Sequence, residues 1–222
     1  MIRSLSILFI FAFAIALLSW ARHEQGPLSE VATYGSIQDS KLISAMQAGM
    51  LPSFFSDLSV LKIFSSFHKF SSSASPKARQ VYSQHALASF HEAQFLDPFF
   101  LDIYRLAEGV LAYEFNMPKE AVTILEKGSL QLDEWGIPFI ASFIAYNQLK
   151  DPKKAILLAR RASQKKGVPP LIIDYTSKLM NDSLGIDFSI RFLEERKKAL
   201  PADYSNALNK RIEKLRKEKN EP

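Results

Sequence analysis

The chain has 222 residues, 47% of them hydrophobic and 23% charged, with 8 Gly, 11 Pro and no Cys. That composition excludes collagenous and low-complexity classes, and the missing cysteine excludes a disulfide framework, a thiolate metal site and a lipid-modified N-terminal Cys. The net charge of +5 is uneven, with 18 Lys and Arg against 10 Asp and Glu from residue 150 onward, a net of +8, so the first 149 residues sum to −3. Such asymmetry suits an acidic partner, an anionic membrane or nucleic acid. No aromatic side chains interleave with the basic run as base-stacking platforms would, so nucleic acid is disfavoured and solvated helix faces are the plainer account.

In chain order, Arg3 precedes an uncharged run over residues 5–21 that is rich in Leu, Ile, Phe and Ala and interrupted only by Ser6 and Ser19. Seventeen helical residues span roughly 25 Å, slightly less than a bilayer's hydrocarbon. Two readings of residues 1–22 stand side by side. One is an uncleaved signal anchor, an N-terminal apolar membrane helix with Trp20 at the interface and Arg22 and His23 beyond it. The other is a cleaved signal peptide with Ser19 and Ala21 flanking the bulky Trp20. The aromatic content and Trp20 favour the anchor. Charge placement keeps the N-terminus cytoplasmic, so the expected location is a single-pass membrane protein with residues 22–222 periplasmic or otherwise extracytoplasmic.

Residues 23–52 read as a linker and a first helix. Gly26, Pro27, Gly35 and Ser36 mark the linker, and Leu42, Ile43, Met46 and Met50 fall at helical spacing over 39–50. Residues 53–70 carry apolar side chains around most of a helix circumference, which predicts burial in the fold or against a bilayer. Ser75 and Pro76 read as an N-cap and first turn before a helix over 77–95. Leu96, Asp97 and Pro98 break the chain, and helices follow over 99–115, 119–130, 137–149 and 152–164. Residues 171–181, 187–199 and 202–219 complete the set. In the last, Tyr204, Leu208, Ile212 and Leu215 form one stripe and should dock as a cap. No stretch alternates with period two, so no sheet is expected.

One pattern repeats. The stretch MPKEAVTILEKGS at 117–129 returns as DPKKAILLARRAS at 151–163, with Pro118, Lys119, Ala121 and Ser129 falling on Pro152, Lys153, Ala155 and Ser163. A period of about 34 residues read as two helices is the mark of a tetratricopeptide array. Residues 102–169 resemble two such repeats. Gly109, Ala121 and Gly128 fit the small positions where helices cross in the first, and Ala155 and Ala162 in the second, where Phe143 stands in place of Gly109. Tyr146 matches the aromatic of the family's first helix, and Ala112 departs from it. Pro98 and Pro169 match the closing prolines loosely. Degenerate units are expected over 53–98 and 170–201. The whole layout resembles membrane-anchored tetratricopeptide (TPR) proteins of bacterial envelopes. The resemblance implies an all-α, right-handed helical-hairpin solenoid over 53–201, with a capping helix and basic tail over 202–222. It implies the holding of partners and no reaction.

Stacked helix pairs leave a concave face lined by the first helix of each pair. The candidates to line it are Tyr104, Arg105, Glu108, Phe139, Ser142 and Tyr146. Each could equally serve ordinary packing or a solvated face. Nothing points to chemistry: no GxxxxGK, HExxH or GxSxG occurs. His85 and His91 are six apart and so diverge by about 240° on a helix, which is no metal spacing. His68 stands alone. Glu92, Asp97 and Asp102 flank helix ends, where carboxylates meet orphan amides. Asn181, Asp182 and Ser183 form a formal glycosylation acceptor, meaningful only on a eukaryotic secretory route. No catalytic, metal or cofactor residue is expected. Two functions remain. The first is a membrane-tethered scaffold that holds protein partners in an envelope assembly, secretion or appendage system. The second is a module that grips anionic lipid, polysaccharide or nucleic acid through the basic half.

Overall fold

The computed structural model describes Gly49 and residues 51–220. The apolar run 5–21, the linker 22–37 and the expected helix 39–50 (apart from Gly49) lie outside the described residues. Among the described residues the fold is all-α, with nine α-helices and no strand. None of these helices is long and apolar enough to cross a membrane.

Proline starts most of the helices, because its missing N–H falls among the donors that a first turn leaves unpaired anyway. α1 (Pro52–Ser72) and α2 (Pro76–Leu96) both begin this way, and the Ser75 hydroxyl caps α2 through the Ala78 amide. A third helix begins as α3 (Leu101–Leu106) and continues as a π-helix over Ala107–Glu114. Next come α4 (Pro118–Gln131), α5 (Gly136–Asn147) and α6 (Pro152–Gln164). Then follow α7 (Pro170–Leu184), α8 (Ile186–Ala199), a 3-10 turn (Ala202–Tyr204) and α9 (Ser205–Asn220). Each helix packs mainly on its chain neighbours, and one apolar core runs continuously from Ile63 to Leu215.

The sequence echo is also an echo in burial. α4 buries Ala121, Val122, Ile124, Leu125, Gly128 and Ser129, and α6 buries Ala155, Ile156, Leu158, Ala159, Ala162 and Ser163 at the same stations. The turns match too. Asn116 and Lys150 both take φ of 53°, in the left-handed region. The next amides close the same loops, from Met117 N to Leu111 O at 2.7 Å and from Asp151 N to Ala145 O at 3.0 Å. In both, the residue at positive φ turns the chain so that the following amide satisfies a carbonyl six residues back.

Burial carries the pattern beyond the clear sequence match. In α2, Ala86, Ser89, Phe90, Ala93 and Gln94 are spaced as Ala121, Ile124, Leu125, Gly128 and Ser129 are in α4. In α7, Ile172, Ile173, Thr176, Ser177, Leu179 and Met180 are spaced as Ile137, Pro138, Ala141, Ser142, Ile144 and Ala145 are in α5. Ser189, Phe192 and Leu193 of α8 repeat the spacing of Ala155, Leu158 and Ala159. The described chain is therefore a run of helical pairs followed by α9, which buries Leu208, Ile212 and Leu215. Tyr204 is not on that helix. It sits in the 3-10 turn, and its hydroxyl donates to Val168 O at 3.0 Å.

One small position moves by a residue. Gly109 is exposed, and a methyl group added there would meet nothing, while Phe143 is 45% exposed. The residue at the helix crossing is Ser142, whose hydroxyl donates to Ala155 O across the hairpin at 2.8 Å. The next hairpin does the same, with Ser177 and Ser189 hydroxyls 2.7 Å apart. Gly128, in contrast, is required. Its absent Cβ would lie 2.3 Å from the Tyr104 ring, which stacks directly on the glycine.

Candidate functional site

The first helices of successive pairs present the surface on which partner contact was expected, and they treat the six candidates differently. Tyr104 is buried against Gly128, and its hydroxyl donates to Pro98 O at 2.6 Å. Burial raises its phenol pKa. Ser142 is buried at the α5–α6 crossing. These two are therefore packing residues, because a side chain wedged between two helices has no surface left for a partner. Periodicity put them on the right helices but could not tell the inner face from the outer.

The other four remain within reach of solvent. Arg105 is exposed and sits 3.4 Å from Asp102, an exposed pair worth little in stability. Glu108 is half-buried on the π-helix, at the station that Ser142 occupies one repeat later. Desolvation raises its carboxyl pKa. Phe139 and Tyr146 are half-buried on α5.

Phe139 is the centre of an aromatic run. Trp135 lies 6.4 Å from it on one side. Tyr175 of α7 lies 5.3 Å away on the other, edge to face at 83°. Edge-to-face rings at this separation add about 0.5–1.5 kcal/mol beyond their buried area. The run thus ties the first helix of one pair to the first helix of the next. The Tyr175 hydroxyl is buried near Ser142 and Tyr146. Burial pushes this phenol's pKa up as well. Trp135, Phe143 and Tyr175 belong to this surface and were not among the sequence candidates. The aromatic character of Trp135 and Tyr175 was readable, but their adjacency needed the stacking of α5 on α7.

Several basic side chains of α6 and α9 are engaged by other parts of the fold. Lys154 of α6 pairs with Glu126 of α4, Arg161 donates to the Ser129 hydroxyl at 2.7 Å, and Lys165 reaches Leu132 O at 2.6 Å. Further on, Arg211 lies 3.0 Å from Asp174, Arg216 2.8 Å from Glu194 and Lys219 2.5 Å from Asp187. All but the Lys165 contact, which joins the caps of α6 and α4, link different helices.

Among the described residues no group of three or more His, Cys, Asp or Glu is placed to hold a metal ion. His85 and His91 have lowered pKa values, from burial first and then from Lys69 and Lys127 respectively. The class that the described chain defines is thus an all-α chain of consecutively packed helical pairs, with a half-exposed aromatic run on its first helices. The chain matches no protein-family model and no curated protein.

Proposed function

We propose that the protein is a non-catalytic, membrane-tethered scaffold. In this reading residues 53–201 form a right-handed helical-hairpin array of tetratricopeptide type, and its first-helix face holds protein partners in a cell-envelope assembly, secretion or appendage system. The observation that carries the reading is the repeat itself. Burial, left-handed turns and closing hydrogen bonds return together from Leu111–Met117 to Ala145–Asp151. A repeated hairpin buries its own faces by stacking and leaves its first helices to face a partner. Half-exposed Phe139 and Tyr146, with Phe143 beside them, suit the apolar or aromatic anchors that dominate protein interfaces. The tether rests on the apolar run 5–21.

The test is partner recovery from the cell of origin by cross-linking to the full-length chain, set beside a Phe139→Asp, Phe143→Asp variant of unchanged helicity. A partner held by the native chain and lost by the variant supports the reading. The same proteins recovered by both would sink it. The anionic-ligand reading draws less support, because six of the 18 basic residues from 150 onward, Lys154, Arg161, Lys165, Arg211, Arg216 and Lys219, are engaged by other parts of the fold.

A further inference from the structure

The first hairpin also exposes large apolar side chains. α1 buries Ser56, Ser59 and Ile63 toward the core. On roughly the opposite side of the helix, Phe54 and Leu61 are 54% and 62% exposed, and Leu51 just ahead of α1 is 60% exposed. Ser65 and His68 share that outer side, so the apolar exposure is concentrated toward the start of α1.

Leu61, Phe64 and Val81 are exposed elsewhere on the hairpin, and four further exposed apolar side chains belong to its other end. Ser56 donates to Ala93 O at 3.3 Å, so the start of α1 lies beside the end of α2. Asp97, just beyond α2, accepts from the Ser53 hydroxyl at 3.2 Å and from the Phe99 amide at 3.0 Å. This carboxylate holds the neighbours of Phe54 and Phe95 within reach of Phe99. Phe95 and Phe99 are 60% and 63% exposed. In contrast, Leu157 and Phe188, the exposed apolar residues of α6 and α8, stand on separate helices. Asp57 and Asp97 flank the exposed apolar residues in the chain, and Asp102 is paired with Arg105. With no cluster of cations among them, attraction to a bilayer there rests on the apolar side chains.

We propose that this end of the α1–α2 hairpin seats on the membrane interface, with Leu51, Phe54, Phe95 and Phe99 in the boundary between headgroups and acyl chains. The proposal rests on the tethered reading. Leu51 is where the stretch from the apolar run reaches the described fold. Residues 22–50 join that run to Leu51, so an apolar run set in the bilayer holds the hairpin at a high effective concentration beside it. Under such tethering, a few half-exposed aromatic and leucine side chains suffice for stable interfacial contact.

The absence of cysteine makes the test clean, because each substitution introduces the sole thiol of the chain. The full-length chain is placed in zwitterionic liposomes with brominated acyl chains, carrying a fluorophore at Phe54→Cys or Phe99→Cys, or at the controls Leu157→Cys and Phe188→Cys. Emission at the first two is expected to fall by roughly half, with the controls unchanged and no dependence on salt. Equal emission at all four positions would overturn the proposal. So would thiol cross-links between chains at Phe54→Cys and Phe99→Cys without quenching, which would make the occupant a second copy. Liposome flotation reports the tether separately. A chain that floats without quenching at Phe54 overturns the docking and leaves the tether standing, and a chain that does not float overturns both.

Discussion

The hairpin α3–π-helix–α4 and the hairpin α5–α6 share one frame and differ on one surface. Their second helices bury matching stations, and their turns share the left-handed residue and the closing bonds. Their first helices diverge: Arg105 stands against Phe139, Gly109 against Phe143 and Ala112 against Tyr146. The difference teaches where constraint lies. A second helix is pressed between its own partner and its neighbours, so its side chains must fit. A first helix keeps a free side that can change without cost to the stack, and that side is where partner contact can be specified.

The largest expected effect breaks the shared frame at its tightest point. Gly128→Val drives a side chain into the Tyr104 ring and should cost about 2–3 kcal/mol, measured by denaturant unfolding. The corresponding Ala162 already carries its Cβ, so Ala162→Gly should cost only about 1 kcal/mol through helix propensity. Equal losses at the two sites would show that Tyr104 does not lock the first hairpin.

Ser142→Ala removes the hydroxyl that bridges α5 to α6 and should cost about 1 kcal/mol. A larger loss would mean that the crossing depends on that bond more than on its small volume. Smaller still is the turn. Lys150→Gly should stabilise by about 0.5–1 kcal/mol, because lysine is strained at positive φ and glycine is not. Asn116→Gly should be close to neutral, since asparagine tolerates that region. Thermal melts that ranked the pair the other way would contradict the shared turn.

The smallest effect concerns Glu108, where the first hairpin has a carboxyl and the second has Ser142. Its folded-state pKa is raised by burial, so the fold holds that proton more tightly than the unfolded chain does. The associated stabilisation is full below the ordinary value of 4.5 and is lost as pH rises through the raised value. Glu108→Gln should therefore flatten the decline in melting temperature from mildly acid to neutral buffer, and leave the variant more stable than the native chain at neutral pH. An unchanged slope would mean that Glu108 ionises in the fold as it does unfolded.

Much of this frame was legible in the residues alone. The breaks at Pro52, Pro76, Pro118, Pro152 and Pro170 follow from proline's missing donor, and the α6 bounds match the sequence expectation to the residue. The pairing of Ala121 with Ala155 and of Ser129 with Ser163 announced a repeated hairpin before any coordinates. What the tertiary structure alone decided was which side of each helix faces in. It put Tyr104 and Ser142 in the core, moved the crossing from Phe143 to Ser142, and set Trp135, Phe139 and Tyr175 side by side. It also showed that α2 and α7, and α8 in part, bury the same stations as the clear pairs. The physical reason is that helix formation depends on local backbone and cap chemistry, which neighbouring residues carry. The facing of a helix depends on volumes that meet across long chain separations, such as Tyr104 against Gly128, and no single segment encodes that contact.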